Sequence, residues 1–107
     1  LKLYGEGKRQ RDYIYIDDVI QGLEFIYENN LKGVYNLGTG IGTSVKEIIN
    51  IVLKICQNKI GLDHIKVDKE DTSKVILNVE KLKKLGFSCN TTIEEGLKKI
   101  IEERGIN

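Results

Sequence analysis

A glycine-rich break that runs straight into a capped helix is the tightest constraint in this sequence. Val34-Tyr35-Asn36-Leu37 is a short β-favouring run, and Gly38-Thr39-Gly40-Ile41-Gly42 ends it. Ser44 then opens a stretch with Ile48, Ile49, Val52, Leu53 and Cys56 at helical spacing. Ser44 and Glu47 have the spacing of a capping box, in which the hydroxyl accepts from the third helical N–H and the carboxylate reaches back to the cap N–H. A strand, a glycine turn and a capped helix in that order call for an α/β fold rather than a bundle or a sandwich.

The flanking sequence extends this reading. Leu1–Tyr4 and Tyr13-Ile14-Tyr15-Ile16 are expected to pair as a hairpin around Gly5-Glu6-Gly7-Lys8. Asp17 or Asp18 is expected to cap a helix carrying Val19, Ile20, Leu23, Ile26 and Tyr27, which ends near Asn29-Asn30. Ile65-Lys66-Val67 and Val75-Ile76-Leu77 predict two more short strands around a polar stretch. Asn78 should cap a short helix stopped by Gly86, with Phe87 as the contact such stops carry. Thr91 or Thr92 should cap a last helix through Glu94 or Glu95. The expected architecture is mixed α/β, a small domain of short strands and about four helices over residues 1–107.

Composition narrows the function classes. At 107 residues there is room for one modest core, burying roughly 65% of the unfolded chain's surface. A net charge of +1 gives no reason to expect nucleic acid or a membrane surface as partner. No apolar run reaches the ~18 residues of a membrane helix. Cys56 and Cys89 stand far apart with a single His64, which fits neither a zinc site nor a disulfide framework, so no metal is expected. Cys56 is expected as a small buried hydrophobe, Cys89 as a loop residue without chemistry, and a reducing cytoplasm as the compartment. Met, Trp and Pro are all missing. The missing Met leads us to expect a piece of a longer chain.

The Gly38–Gly42 loop invites a dinucleotide-binding reading, since glycines admit a pyrophosphate and a helix N-terminus attracts its charge. The fingerprint G-x-G-x-x-G fails here, because Thr43 stands where its last glycine belongs. The expectation is therefore a strand-to-helix turn, with no cofactor-binding residue in it.

The first glycine cluster is more specific when read whole, as Gly5-Glu6-Gly7-Lys8-Arg9-Gln10-Arg11-Asp12-Tyr13-Ile14-Tyr15-Ile16-Asp17-Asp18-Val19. It resembles the G-x-G-x-x-x-R-D-[FY]-[IV]-x-[VI]-x-D-[VL] segment of the extended short-chain dehydrogenase/reductase family, the NAD-dependent nucleotide-sugar epimerases and dehydratases. Val34–Gly40 resembles that family's V-Y-N-[LIV]-G-[ST]-G strand, and Ser44–Ile48 its S-[IV]-x-E-[LI] helix start. Asn78–Phe87 and Thr92–Leu97 are similar to its D-x-[ST]-[KR]-(x)-L-G-[FW] and [ST]-[IL]-E-E-G-[LI] segments. The resemblance covers essentially the whole chain in order.

The resemblance implies the C-terminal, substrate-binding part of a Rossmann-type enzyme. By that resemblance the family's N-terminal G-x-x-G-x-x-G loop and its catalytic Tyr-x-x-x-Lys pair would belong to another part of the parent. Tyr13 and Tyr15 are followed four positions on by Asp17 and Val19. No catalytic residue is expected, and the chain alone should be inactive. The parent would use NAD(P), none of it bound by this part, and the nucleotide sugar and the absent Rossmann domain would be partners. By the same resemblance Arg11 would grip the substrate's diphosphate. Lys74 would stand in for a second basic contact, as a point charge rather than a fork. Asp12 and Asp18 are expected to be structural, through hairpin bonding and helix capping, as are Asn36, Gly38 and Gly40. The UDP-glucose 4-epimerase type is the first expectation for the parent, and self-pairing into a homodimer is open to such a piece. The competing reading is a standalone, non-catalytic module that binds a nucleotide or a protein.

Overall fold

The structure, a computed structural model, describes residues 1–105. Among these residues it contains five short strands and four helices. They run β1 (Lys2–Tyr4), β2 (Gln10–Arg11), α1 (Ile16–Glu28), β3 (Thr43–Ser44), α2 (Val45–Ile55), β4 (Asp63–Ile65), β5 (Lys74–Val75), α3 (Glu80–Lys84) and α4 (Ile93–Glu103). This is the mixed α/β class the periodicity predicts.

The helices begin and end where local chemistry places them. At α2 the Ser44 N–H donates to Glu47 Oε2 (2.7 Å) and the Glu47 N–H to Ser44 Oγ (3.1 Å), the complete capping box. At α4 the cap is Thr92, whose Oγ1 accepts from the Glu95 N–H at 3.1 Å. Asn78 Oδ1 accepts from the Glu80 N–H (3.1 Å) at the start of α3. That helix stops on Gly86, which takes φ +109°. Phe87 N–H reaches back to the Leu82 carbonyl (3.0 Å) and Gly86 N–H to that of Lys83 (3.1 Å), the paired bonds of a Schellman stop. The Phe87 ring then lies 5.6 Å from that of Phe25, tying α3 to α1.

The strands depart from expectation. β1 does not form a hairpin with Tyr13–Ile16; it pairs in parallel with β4, Leu3 opposite His64. Gly5 and Gly7 both take positive φ, and Gly5 N–H donates to the Ile65 carbonyl (2.8 Å), so the turn extends the β1–β4 pairing instead of reversing the chain. β2 lies earlier, at Gln10–Arg11, between antiparallel β3 and parallel β5. Tyr13–Tyr15 is irregular and Ile16 already opens α1. The first cap of α1 is Tyr15, without a side-chain bond, so neither Asp17 nor Asp18 caps it. β4 and β5 sit one or two residues before their expected places. Val34–Leu37 is not paired into a sheet.

The core is thin. Leu3, Ile49, Cys56, Leu82 and Ile101 are its buried apolar side chains. The molecule measures 48 × 35 × 15 Å with a radius of gyration of 16.4 Å, against about 13 Å for a compact domain of this length. Its accessible surface is 7772 Å², where a folded monomer of this mass exposes about 6,100 Å². Part of the exposed apolar surface is ordered: Ile16, Ile20, Leu23 and Tyr27 form an exposed stripe along α1, at spacings of four, three and four residues. Val34, in the unpaired segment after α1, is 83% exposed. One expected modest core has become a slab with an uncovered apolar face.

Candidate functional site

Arg11 is the centre of the site. It sits on β2, opposite Thr43 of β3 and Val75 of β5, so its position is set by two ladders rather than by a loop. Its Nη1 donates to the Gln10 carbonyl (2.7 Å), to Ser73 Oγ (3.1 Å) and, at longer range, to the Ser73 carbonyl (3.4 Å). Among the described residues Nε and Nη2 have no acceptor, and neither ion pair, Lys8–Glu6 or Lys54–Glu94, includes Arg11. Arg11 makes no ion pair with Asp12 or Asp18 among the described residues. One guanidinium edge is therefore fixed by the protein and the other is open.

The segment between β4 and β5 builds the fixed edge. Asp71 Oδ1 accepts from the Ser73 N–H (2.9 Å), a tight Asx turn. The bonds from Ser73 hold the Asp71 carboxyl below the usual carboxylate range, with burial opposing and the charges of Arg11 and Arg9 adding. Glu70 anchors the same segment, its Oε1 accepting from the backbone N–H groups of Glu6 (3.0 Å) and Lys8 (3.3 Å). A Cβ on Gly5 would overlap the Glu70 carboxylate, so that turn needs glycine for space as well as for its φ of +70°. Sequence reasoning missed Glu70, Asp71 and Ser73. The Asp-Thr-Ser spacing of an Asx turn was the signal that could have found two of them.

Asp12 follows Arg11 and fastens the Gly38–Gly42 loop. Its Oδ1 accepts from Thr39 N–H (3.0 Å) and Thr39 Oγ1 (2.5 Å), and its Oδ2 from Gly40 N–H (2.8 Å) and, more weakly, Leu77 N–H (3.4 Å). Partial burial raises its pKa, but these donors outweigh it and hold the carboxyl below the usual range. The backbone donors a pyrophosphate would need are already bound to a carboxylate, and a phosphate there would face a negative charge. The residues of this loop do not fit a nicotinamide dinucleotide. Gly38 has no room for a Cβ, which would fall 2.7 Å from Leu77 Cδ1. Gly40 takes φ +76°.

Asp18 is 1% exposed. It accepts from the N–H groups of Asn90 (3.1 Å) and Thr91 (3.0 Å), linking α1 to the residues just before α4. Asn36 Nδ2 donates to the Asn78 carbonyl (3.0 Å), joining the Val34–Leu37 segment to the start of α3. Cys89, expected to be a bystander, donates its thiol to the Gly38 carbonyl (3.1 Å). Its pKa is raised by burial first and by Asp18 and Asp12 next, so it is a neutral hydrogen-bonding group. Cys56 is buried, as expected.

Lys74 is not brought to Arg11. It pairs with Gln10, so it lies on the opposite face of the three-stranded sheet. There it lines an open groove of about 710 Å³ with Gln10, Ser44, Lys46, His64 and Thr72. Among the described residues no cluster of His, Cys, Asp and Glu could hold a metal ion, and no helix is long and apolar enough to cross a membrane.

Residues 1–100 match the family model described as GDP-mannose 4,6 dehydratase. A trifunctional UDP-glucose 4,6-dehydratase/UDP-4-keto-6-deoxy-D-glucose 3,5-epimerase/UDP-4-keto-L-rhamnose-reductase of Arabidopsis thaliana is 33% identical over 105 residues, 95% of this chain and 16% of that protein. The UDP-glucose 4-epimerase of Thermotoga maritima, solved with UDP-glucose, superposes with a TM-score of 0.80 at 31% identity, covering 100% of this chain and 36% of that one. The Bordetella bronchiseptica enzyme WbmF, solved with NADH, gives 0.81 at 34% identity, over 98% of this chain and 32% of that one. The chain thus spans between about a sixth and about a third of the length of these relatives.

Proposed function

This chain belongs to the GDP-mannose 4,6 dehydratase family, and on that premise we propose that it is the C-terminal, substrate-binding share of an NAD(P)-dependent nucleotide-sugar epimerase or dehydratase. The observation that carries the reading is Arg11. A guanidinium on a paired strand, with one edge tied down and the other without a carboxylate, is a preformed fork for a diphosphate. Lys74, on the far face, enters only as an edge charge that draws an anion in, not as a second fork.

The hydride chemistry of such an enzyme belongs to the nicotinamide cofactor, which the rest of the parent would hold. The one Tyr-x-x-x-Lys spacing here, Tyr4 to Lys8, crosses a glycine turn with Lys8 paired to Glu6, and the Gly38–Gly42 donors are taken, so the chain by itself is proposed to be without turnover. The uncovered face supports a missing partner. The α1 stripe and the unpaired Val34–Leu37 segment offer an apolar strip beside an open strand edge, suited to the sheet of the absent Rossmann domain. A UDP sugar is the first candidate substrate, and a cytoplasmic, homodimeric parent completes the proposal.

Titration of UDP against the chain and against Arg11→Ala tests this. Loss of a charge-assisted fork should weaken binding by about tenfold or more. Equal affinity in the two proteins would remove Arg11 from the site. Turnover of UDP-glucose by the unassisted chain in the presence of NAD would overturn the proposal that it lacks catalytic groups.

A further inference from the structure

The geometry points to Ser73 as a positioning residue for Arg11, held in place by an Asx turn and a carboxylate anchor. This rests on the reading that Arg11 meets a diphosphate, and adds the device that aims it. An arginine has four rotatable side-chain bonds, and a free one must be ordered when it closes on a ligand, which weakens binding. Here the ordering precedes the ligand. Ser73 offers Nη1 both its hydroxyl (3.1 Å) and its carbonyl (3.4 Å), and the same carbonyl accepts the Gln10 N–H (2.9 Å). Ser73 is itself held by Asp71 (2.9 Å). Three residues earlier, Glu70 clamps the segment to the turn after β1 through the N–H groups of Glu6 and Lys8.

The segment from Glu70 to Ser73 is thus fixed at one end to the β1 turn and at the other to β2. Its contacts take one nitrogen of the guanidinium and leave the Nε–Nη2 edge, the pair that can engage two phosphate oxygens at once. Asp71 adds negative charge near Arg11 without an ion pair closer than 4 Å among the described residues, so it biases the side chain without blocking the open edge.

Nitrogen-15 spectra of the guanidinium groups test this without a ligand. The chain has only three arginines, Arg9, Arg11 and Arg104, so the Arg11 signals can be assigned by their loss in Arg11→Lys. Slowed rotation about Nε–Cζ should give Arg11 separate Nη1 and Nη2 signals at low temperature. Ser73→Ala should merge them, while Ser73→Thr, which keeps the hydroxyl, should not. Signals merged in the parent protein, or equally resolved in Ser73→Ala, would overturn the assignment.

The UDP titration separates this inference from the reading beneath it. Ser73→Ala should weaken UDP by about fivefold, Ser73→Thr should restore it, and Ser73→Ala should add nothing once Arg11 is Ala. If Arg11→Ala leaves UDP affinity unchanged, the diphosphate reading fails and the spectra still decide the positioning. If Arg11→Ala weakens UDP but Ser73→Ala does not, the positioning role alone fails.

Discussion

Replacing Asp12 with Asn separates charge and bonding pattern from shape at the junction that holds the Gly38–Gly42 loop. Both carboxylate oxygens are acceptors: Oδ1 for the N–H and hydroxyl of Thr39, Oδ2 for the N–H of Gly40 and Leu77. An amide can place its oxygen on one side only. The NH₂ on the other side then points at a backbone N–H, a donor against a donor. Hydrogen bonds to a charged group contribute about 1.5–3 kcal/mol each, and those on one carboxylate do not add fully. Partial solvent access and the long Leu77 contact lower the total further. We expect about 3 kcal/mol of destabilisation for Asp12→Ala and about 2 kcal/mol for Asp12→Asn. In a domain of this size 2 kcal/mol lowers Tm by about 10 °C or more, readable by circular dichroism.

The pH dependence supplies an internal control. The folded-state pKa of Asp12 is depressed, so its stabilisation is fully present above the ordinary unfolded value of 3.8 and is lost as pH falls through the lower folded value. The stability gap between the parent protein and Asp12→Asn should therefore be constant near neutrality and narrow as pH drops below about 4. An Asn variant within 0.5 kcal/mol of the parent, or two curves that fall in parallel through acid pH, would refute the reasoning.

Three further outcomes follow from the same structure. Asp18→Ala should leave the partly buried N–H groups of Asn90 and Thr91 without their carboxylate partner, cost about 1–3 kcal/mol, and speed hydrogen exchange at those two amides first. Gly7→Ala should destabilise by about 1–3 kcal/mol in urea unfolding, because its φ is +68° and a Cβ would fall 2.8 Å from the Lys46 backbone nitrogen, which cannot step aside. Leu23→Glu, on the exposed stripe of α1, should leave the melting temperature of the isolated chain within a few degrees, yet weaken its association with a separately expressed N-terminal portion of the parent, read by light scattering.

The helices were legible because their signals are local. Ser44 with Glu47, Thr92 with Glu95, and Gly86 with Phe87 each state a boundary within a few residues, and the structure realises each one, while at α3 the N-cap is Val79 and Asn78, one residue earlier, bonds the Glu80 N–H. Three strands lie within two residues of their expected places, but their pairings were not legible, for the opposite reason. β2 and β5 are two residues each and pair Gln10 with Lys74 and Arg11 with Val75, a long-range choice that no periodicity over two residues can encode. Tyr13–Ile16 has strand-like composition, yet Asp12 binds the distant Thr39 and Gly40, and the chain turns there into α1. Val34–Leu37 has the composition of a strand and no sheet in these residues to join. In the candidate site, Arg11 was singled out by its motif, and its function remains a proposal. The separation of Arg11 from Lys74 was not legible, because a face of a sheet is set by register. Ser73 and Glu70 are ordinary polar residues whose part depends on where a loop folds back.

The central claim is that Arg11 presents its open edge to a diphosphate. Phosphorus-31 spectra of UDP test it most directly, because they report on the phosphates themselves. Added to the chain, UDP should show both its α and β signals shifting on binding, and Arg11→Ala should abolish most of that shift. Phosphorus signals that move equally with the parent protein and with Arg11→Ala, or that stay still while base and ribose protons shift, would contradict the account.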